Sequence, residues 1–270
     1  MLNLLCWQHY IEQEIGFVLP DKQLQWLANA IDSTASLYNL SIEQLWILIQ
    51  TDAVIRQKLV DTVLIPESRF FRHPPSIQFV TELAIDKNIA DKDLDTPFRI
   101  WSVGCSAGQE VWSLAMSLSA IRLTNYTILG TDVSQTVLSQ AREAYYEQHQ
   151  QYLIPQSCQQ FVTSVVIDNN QDNVSRWQVD SGLRQYVKFV WHNIFTDDMP
   201  TTNLQQVIIC QNVLIYFRQF DQRDILTRLA KQCVIGGYII LAPGEGLGWR
   251  PTNMRRISHA QVNAWQKIRA

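Results

Sequence analysis

Cysteines at metal-ligand spacing are missing from this 270-residue sequence; its five stand apart at 6, 105, 158, 210 and 233. An odd, scattered set argues against both a structural zinc site and a disulfide framework, and reads as reduced thiols of a cytoplasmic protein. Long apolar runs are also missing. Nothing approaches the ~20 residues of a membrane span, and the start, MLNLLCWQHYIEQEIGF, has no cationic leader and is interrupted by Gln, His and Glu. Charge of one sign is scarce: the formal net charge is −3, without clustered Lys or Arg, so neither nucleic acid nor membrane insertion is expected. The three-glycine dinucleotide fingerprint is absent, which removes an NAD-dependent dehydrogenase. No Ser/His/Asp or Cys/His set stands out.

What is present is a core-forming composition, 47% hydrophobic and 17% charged, whose pattern changes near residue 65. Before it, Leu4, Trp7, Ile11, Ile15 and Val18 recur at helical spacing. Asp21 is placed to cap a helix carrying Leu24, Leu27 and Ile31, and Ser41-Ile-Glu-Gln44 has capping-box form. This segment holds seven acids against three bases, net −4. An all-α domain over 1–62 is expected. After residue 98, apolar runs at Ile100–Val103, Thr127–Gly130, Val187–Trp191, Val207–Cys210 and Tyr238–Leu241 alternate with helical segments 109–121, 134–147 and 221–233. Such alternation predicts a parallel α/β sheet with helices on both faces. Residues 148–186 break the rhythm. The runs Phe161–Ile167 and Val174–Val179 around Asn169-Asn170 predict a β-hairpin insertion within a 63–270 domain.

Ligands of open α/β sheets bind beyond the carboxyl ends of the strands, and polar residues stand at four such ends. Gly104 and Gly108 follow the first strand, where glycines allow close backbone approach to a ligand or simply a tight turn. Asp132 ends the second strand, suited to a ribose diol or to capping the next helix. Asn193 and Asn212 end the third and fourth, as ligand-reading amides or self-satisfied turn residues.

Five words in one order then resemble the chemotaxis-receptor glutamate methyltransferases, the CheR family: Ser68-Arg-Phe-Phe-Arg72, Ile100-Trp-Ser-Val-Gly-Cys-Ser-Ala-Gly-Gln-Glu110, Gly130-Thr-Asp-Val133, Cys210-Gln-Asn-Val-Leu-Ile-Tyr-Phe217 and Gly236-Gly-Tyr-Ile-Ile-Leu241. The resemblance implies a Rossmann-like S-adenosylmethionine methyltransferase sheet with a small N-terminal helical domain and a β-insertion. It implies S-adenosylmethionine as donor, S-adenosylhomocysteine as product, no metal, and glutamates on the cytoplasmic helices of chemoreceptors as acceptors. It also points to chemosensory adaptation, with the type IV pilus or twitching-motility branch as the nearer likeness. A receptor C-terminal tail is a further partner it suggests, at the β-insertion. Carried over residue by residue, Ser68, Arg72 and Glu110 would line the methionine end, and Asp132 would take the ribose. Asn193 and Ile194 would frame the adenine, Asn212 and Val213 would lie by the methionine moiety, and Gly104 and Gly108 would leave room for the cofactor. Arg72 and Tyr216 are the expected catalytic pair, a surface ion pair being the bland alternative for Arg72. Core packing is expected of Phe70, Phe71 and Phe217. Three departures stand out: Pro66 where the family often has a polar residue, Gln109 for a common glutamate, and Ala242-Pro-Gly-Glu245 for a His-Ser-Glu-Ser ending. They leave open a catalytically weak adaptor of a chemosensory system.

Overall fold

The computed structural model describes residues 3–20, 23–90, 96–169 and 172–270. Asn3 caps α1 (Leu4–Ile15) by accepting a hydrogen bond from the Leu5 N–H. The helix stops where Gly16 turns to φ 72° and donates back to the Glu12 carbonyl, a left-handed cap that glycine adopts without a Cβ penalty. Val18 therefore falls beyond the helix that its spacing suggested, and Phe17 and Leu19 enter the core instead. Next come α2 (Leu24–Leu37), α3 (Ile42–Thr51) and α4 (Ala53–Val63). Asp21, expected to cap α2, lies outside the described residues. The Ser41 hydroxyl accepts from the Gln44 N–H at 3.2 Å while Gln44 accepts from the Ser41 N–H at 2.8 Å, the reciprocal box that the sequence predicts. Trp7, Ile11, Leu27, Leu45, Ile49 and Leu59 close into one buried cluster. Each such side chain contributes ~1.5–3 kcal/mol by leaving water.

The chain continues through α5 (Pro74–Ala90), β1 (Phe98–Val103), α6 (Gln109–Ala120), β2 (Tyr126–Asp132), α7 (Gln135–Glu143), β3 (Tyr145–Glu147), β4 (Val162–Asn169) and β5 (Asp172–Val179). It ends with β6 (Val187–Trp191), β7 (Gln205–Cys210), α8 (Gln219–Gln232), β8 (Cys233–Leu241), β9 (Met254–Arg256) and β10 (Asn263–Lys267). The main sheet runs β6-β2-β1-β7-β8-β10-β9. Its first five strands are parallel and are the five read from the sequence; β10 is antiparallel to β8, and β9 to β10. Successive side chains go to opposite faces. Ile100, Val207, Ile209 and Ile240 join a core with residues of α5 and α6. Trp101, Ile208, Ile239 and Leu241 meet Ile225, Leu226 and Leu229 of α8 behind it. Burial on both faces is why the central strands β1 and β7 read as unbroken apolar runs, whereas β6 at the sheet edge has no buried residue.

The insertion is a three-stranded sheet, β3-β5-β4, instead of a hairpin alone. The helix expected over 134–147 ends at Glu143. Ala144 adopts φ 58° and its N–H returns to Gln140, after which Tyr145–Glu147 pairs with β5. Trp177 of β5 is fully buried, with its ring 5.2 Å from Tyr146 and 4.8 Å from Phe70. Phe70 is thus the core residue it was expected to be, and it anchors the insertion beside the Arg72 turn.

Candidate active site

The carboxyl ends of β1, β2, β6 and β7 converge on two adjoining cavities. The first, about 900 Å³ including its open mouth, takes walls from Asp132, Asn193, Ile194, Val213 and Tyr216, and from Ile15, Phe17 and the 64–67 segment. The second, about 630 Å³ on the same measure, is lined by Ser68, Arg72, His73, Glu110 and Gln211 among others. Glu67, Gly104, Ser106 and Asn212 border both. Two of the described non-glycine residues with left-handed backbones border both cavities, Ser106 (φ 50°) and Asn212 (φ 60°), and a third, Phe71 (φ 50°), precedes Arg72 of the second. Such strain concentrates where the surrounding structure fixes a site.

The glycine turn after β1 owes its small residues first to the chain itself. Gly104 has φ 65°, and a Cβ there would stand 2.5 Å from a Val213 methyl carbon, so this glycine lets the β7 loop close against the β1 turn. Gly108 departs from the expectation that it leaves room for a cofactor. It lines neither cavity; with φ 86° it begins α6, and a Cβ would strike Ala141 at 2.9 Å and Phe189 at 3.0 Å. Its role is close helix packing.

Asp132 ties two turns together. One carboxylate oxygen accepts the Ser106 N–H at 2.8 Å and the other the Ser134 N–H at 2.9 Å. Capping of α7 falls instead to the Ser134 hydroxyl and to Asp61 of α4, which accepts from the N–H groups of Gln135 and Thr136 and from the Thr136 hydroxyl. Burial raises the Asp132 carboxyl, opposed by backbone N–H groups of Ser134, Ser106 and Val133.

Asn193 behaves as the turn residue. Its Oδ1 accepts from the Phe195 N–H at 3.0 Å, and its amide donates 2.8 Å to the Glu14 carbonyl, stapling β6 to α1. It still borders the first cavity beside Ile194. Asn212 differs: only its backbone N–H is engaged in a described bond, to Glu245 Oε2 at 3.3 Å, and the residue borders both cavities. Glu245 also accepts from the Ala242 N–H at 3.0 Å, so the altered ending after β8 retains a buried acid that shapes the Asn212 turn.

In the second cavity Glu110 accepts the Ser102 hydroxyl at 2.7 Å. Burial raises its carboxyl to about 7, with the Ser102 bond and the Arg72 charge acting the other way. Arg72 donates to the Glu67 carbonyl at 3.1 Å and stands 3.6 Å from the Glu67 carboxylate. Burial raises the Tyr216 hydroxyl; the Glu67 charge adds to that and the Arg72 charge opposes it. Tyr216 itself leans on Phe17, ring centroids 4.7 Å apart. Arg72 is therefore both an ion-pair member and a cavity residue, and the two alternatives read from the sequence coexist.

A family model described as "CheR methyltransferase, SAM binding domain" matches residues 66–263. The chain belongs to the CheR methyltransferase family. Chemotaxis protein methyltransferase 1 of Pseudomonas aeruginosa is 26% identical over 259 residues, covering 92% of this chain and 91% of that one. Chemotaxis protein methyltransferase Cher2 of Pseudomonas putida is 26% identical over 210 residues, 75% of this chain and 74% of that one. An uncharacterized 104.1 kDa protein of Rhodobacter capsulatus is 28% identical over 213 residues; the match takes 77% of this chain and 21% of that much longer protein. Among solved structures, a SAM-dependent methyltransferase from Geobacter sulfurreducens, in complex with S-adenosyl-L-homocysteine, aligns over 65% of this chain and 50% of its own, at 13% identity and a TM-score of 0.36.

This CheR-family chain is a methyltransferase that uses S-adenosylmethionine, and its residues fit that group. Asp132 gives each carboxylate oxygen one described side-chain-to-backbone bond, which leaves lone pairs for a diol. The Ser106 hydroxyl is buried without a partner beside it, a polar atom that a polar ligand would satisfy. Glu110, whose carboxyl burial raises to about 7, would serve an ammonium in the second cavity once ionised. The sequence reading did not single out Asp61, Glu67 or Glu245 as site residues. Glu67 sits inside the Ser68–Arg72 word's approach and was signalled only by its neighbours. Asp61 and Glu245 act through backbone atoms 74 and 33 positions away, which no local pattern reveals.

Proposed function

We propose that this protein transfers the methyl group of S-adenosylmethionine to glutamate side chains on the cytoplasmic helices of chemoreceptors, in chemosensory adaptation within the cytoplasm. The observation that carries the reading is the pairing of Arg72 and Tyr216 where the two cavities meet. Arg72 lines the second cavity and Tyr216 the first, on either side of the shared border of Gly104, Ser106 and Asn212, and the Arg72 charge acts on the Tyr216 hydroxyl. A planar fork and a hydroxyl are suited to grip a carboxylate. A glutamate with a reference pKa of ~4.3 is already ionised at neutral pH, so no base has to be supplied. Asp132 would hold the ribose; Ile194, with the backbone of Asn193, the adenine; and Ser68, Glu110, Asn212 and Val213 the methionine end. The bound cofactor supplies a methyl group activated on sulfur. The protein's part is to align it with the acceptor oxygen, which well-oriented sites do to large effect.

The units proposed are the helical segment 1–62 and the methyltransferase unit 63–270. No helix among the described residues is long and apolar enough to cross a membrane. A receptor tail is a proposed second partner, favoured by β4, which among the described residues pairs with β5 alone and so stands at an edge of its sheet where a strand could be added. The test is incubation with methyl-labelled cofactor and a receptor cytoplasmic fragment. Base-labile label on the fragment, lost when its acceptor glutamates become glutamine, is the expected result. Cofactor binding without such label would make the protein an adaptor.

A further inference from the structure

The carboxylate of Glu67 has no part in the assignments above, yet it occupies their centre. Glu67 borders both cavities. Its carboxylate lies 3.6 Å from an Arg72 guanidinium nitrogen, its carbonyl accepts a second Arg72 N–H at 3.1 Å, and its charge raises the Tyr216 hydroxyl. The side chain is 78% exposed, so it rests on the fork without being locked there. The other acids around the cavities are held by backbone or hydroxyl donors: Asp132 by Ser106 and Ser134, Glu110 by Ser102, Asp61 by the start of α7. Among the described residues, the Glu67 carboxylate has only the arginine that an incoming carboxylate would need.

We propose that Glu67 is an internal stand-in for the acceptor: its carboxylate sits on the Arg72 fork of the free enzyme and must be displaced by the glutamate side chain that binds there. The inference rests on the reading of Arg72 as the acceptor-carboxylate grip. Two carboxylates cannot share one exposed guanidinium without like-charge repulsion, so each acceptor competes with a resident anion tethered beside the site. The consequence is selectivity. A free small carboxylate competes at a disadvantage with the tethered one, whereas an acceptor carried on a docked helix brings further contacts that tip the exchange. Glu67 is then a specificity-determining residue that acts through Arg72, and the carbonyl bond to Arg72 survives its side chain's replacement.

The test uses full-length protein saturated with S-adenosylhomocysteine and titrated with N-acetyl-glutamate amide, an isolated glutamate side chain, followed by NMR shift changes. Glu67→Gln should tighten this probe by about two- to fivefold, the span of an exposed ion pair. The gain should shrink in high salt, and Glu67→Asp should stay near wild type. With receptor fragment as acceptor, Glu67→Gln should lower KM while kcat changes less. Unchanged or weaker probe binding by Glu67→Gln would overturn the proposal and leave Glu67 as a mere support for Arg72. Wild-type transfer to the receptor fragment is measured separately, so a failure of the proposed function is told apart from a failure of this inference.

Discussion

The two cavities share Gly104, Ser106, Asn212 and Glu67 but keep their half-buried acids by different means. In the first, Asp132 is held by backbone N–H groups at 2.8 and 2.9 Å from two separate turns. In the second, Glu110 has a single hydroxyl donor at 2.7 Å, and burial raises its carboxyl to about 7. Backbone donors are fixed by the fold and cannot rotate away, so they offset part of the burial that raises the Asp132 carboxyl. A serine hydroxyl is one rotatable donor and compensates burial only in part. The difference suits a neutral diol on one side and a cation on the other, since Glu110 gains most when a positive group arrives.

The comparison breaks first at the rim between them. Arg72→Lys keeps the charge and loses the fork, which is not conservative at a planar site. A fall in methyl transfer of about 100-fold is expected, as for other losses of alignment, with cofactor affinity near wild type. Wild-type turnover would return Arg72 to a surface ion pair. Next in size is Asp132→Ala. Losing hydrogen bonds to a charged group should weaken cofactor binding by about 1.5–3 kcal/mol in calorimetry. It should also destabilise the apo protein, because the Ser106 and Ser134 N–H groups lose their acceptor. Unchanged affinity in a folded variant would leave Asp132 as a turn tie alone.

How much of this was legible follows from the range of each signal. The central strands β1 and β7 announced themselves as apolar runs because both faces are buried, and the Ser41–Gln44 box is local by nature. β9 and β10 passed unnoticed: Met254–Arg256 is only three residues long, too short for any period. β3 was read as helix because Tyr145–Glu147 follows α7 directly, and the stop at Ala144 uses a residue that ordinarily favours helix. At the site, Asp132 and Asn212 were visible as strand-end residues. The fate of Asn193 was not, since its amide is claimed by Glu14, 179 positions away. Gly108 was misassigned because a glycine needed for helix packing and one needed for a ligand look alike in sequence.

The Glu110 side of the comparison can be sharpened by pH. Its folded pKa of about 7 lies above the unfolded reference, so the folded apo protein binds a proton more readily than the unfolded chain. This group therefore lowers apo stability as pH rises from ~4.3 to 7. A bound ammonium favours the ionised form, so cofactor affinity should rise through that range and level off above 7. Between pH 8 and pH 6 a loss of about tenfold in affinity is expected if Glu110 must be ionised. Glu110→Gln should flatten the profile at the weaker level. An unaltered profile in that variant would assign the titration elsewhere.

The smallest effect expected tests whether the first cavity depends on the N-terminal helices. Asp61 projects from α4 onto the first turn of α7, where it accepts the Gln135 N–H at 3.1 Å, the Thr136 N–H at 3.2 Å and the Thr136 hydroxyl at 2.7 Å. Those N–H groups have no partner within their own helix, and an anion there also meets the positive end of the helix dipole. The same residue borders the first cavity, and its charge bears on Asp132. Loss of a cap costs ~0.5–2 kcal/mol, so Asp61→Ala should lower stability by about 1 kcal/mol in denaturant unfolding. Cofactor affinity should fall less, by roughly two- to fivefold, because the 132–134 turn loosens while Asp132 keeps its own donors. Asp61→Asn retains an acceptor and should fall between the two. A double-mutant cycle with Thr136→Val separates the latch from bulk charge. Additive losses across that cycle would mean that the bond between α4 and α7 does not couple the helical segment to the cavity.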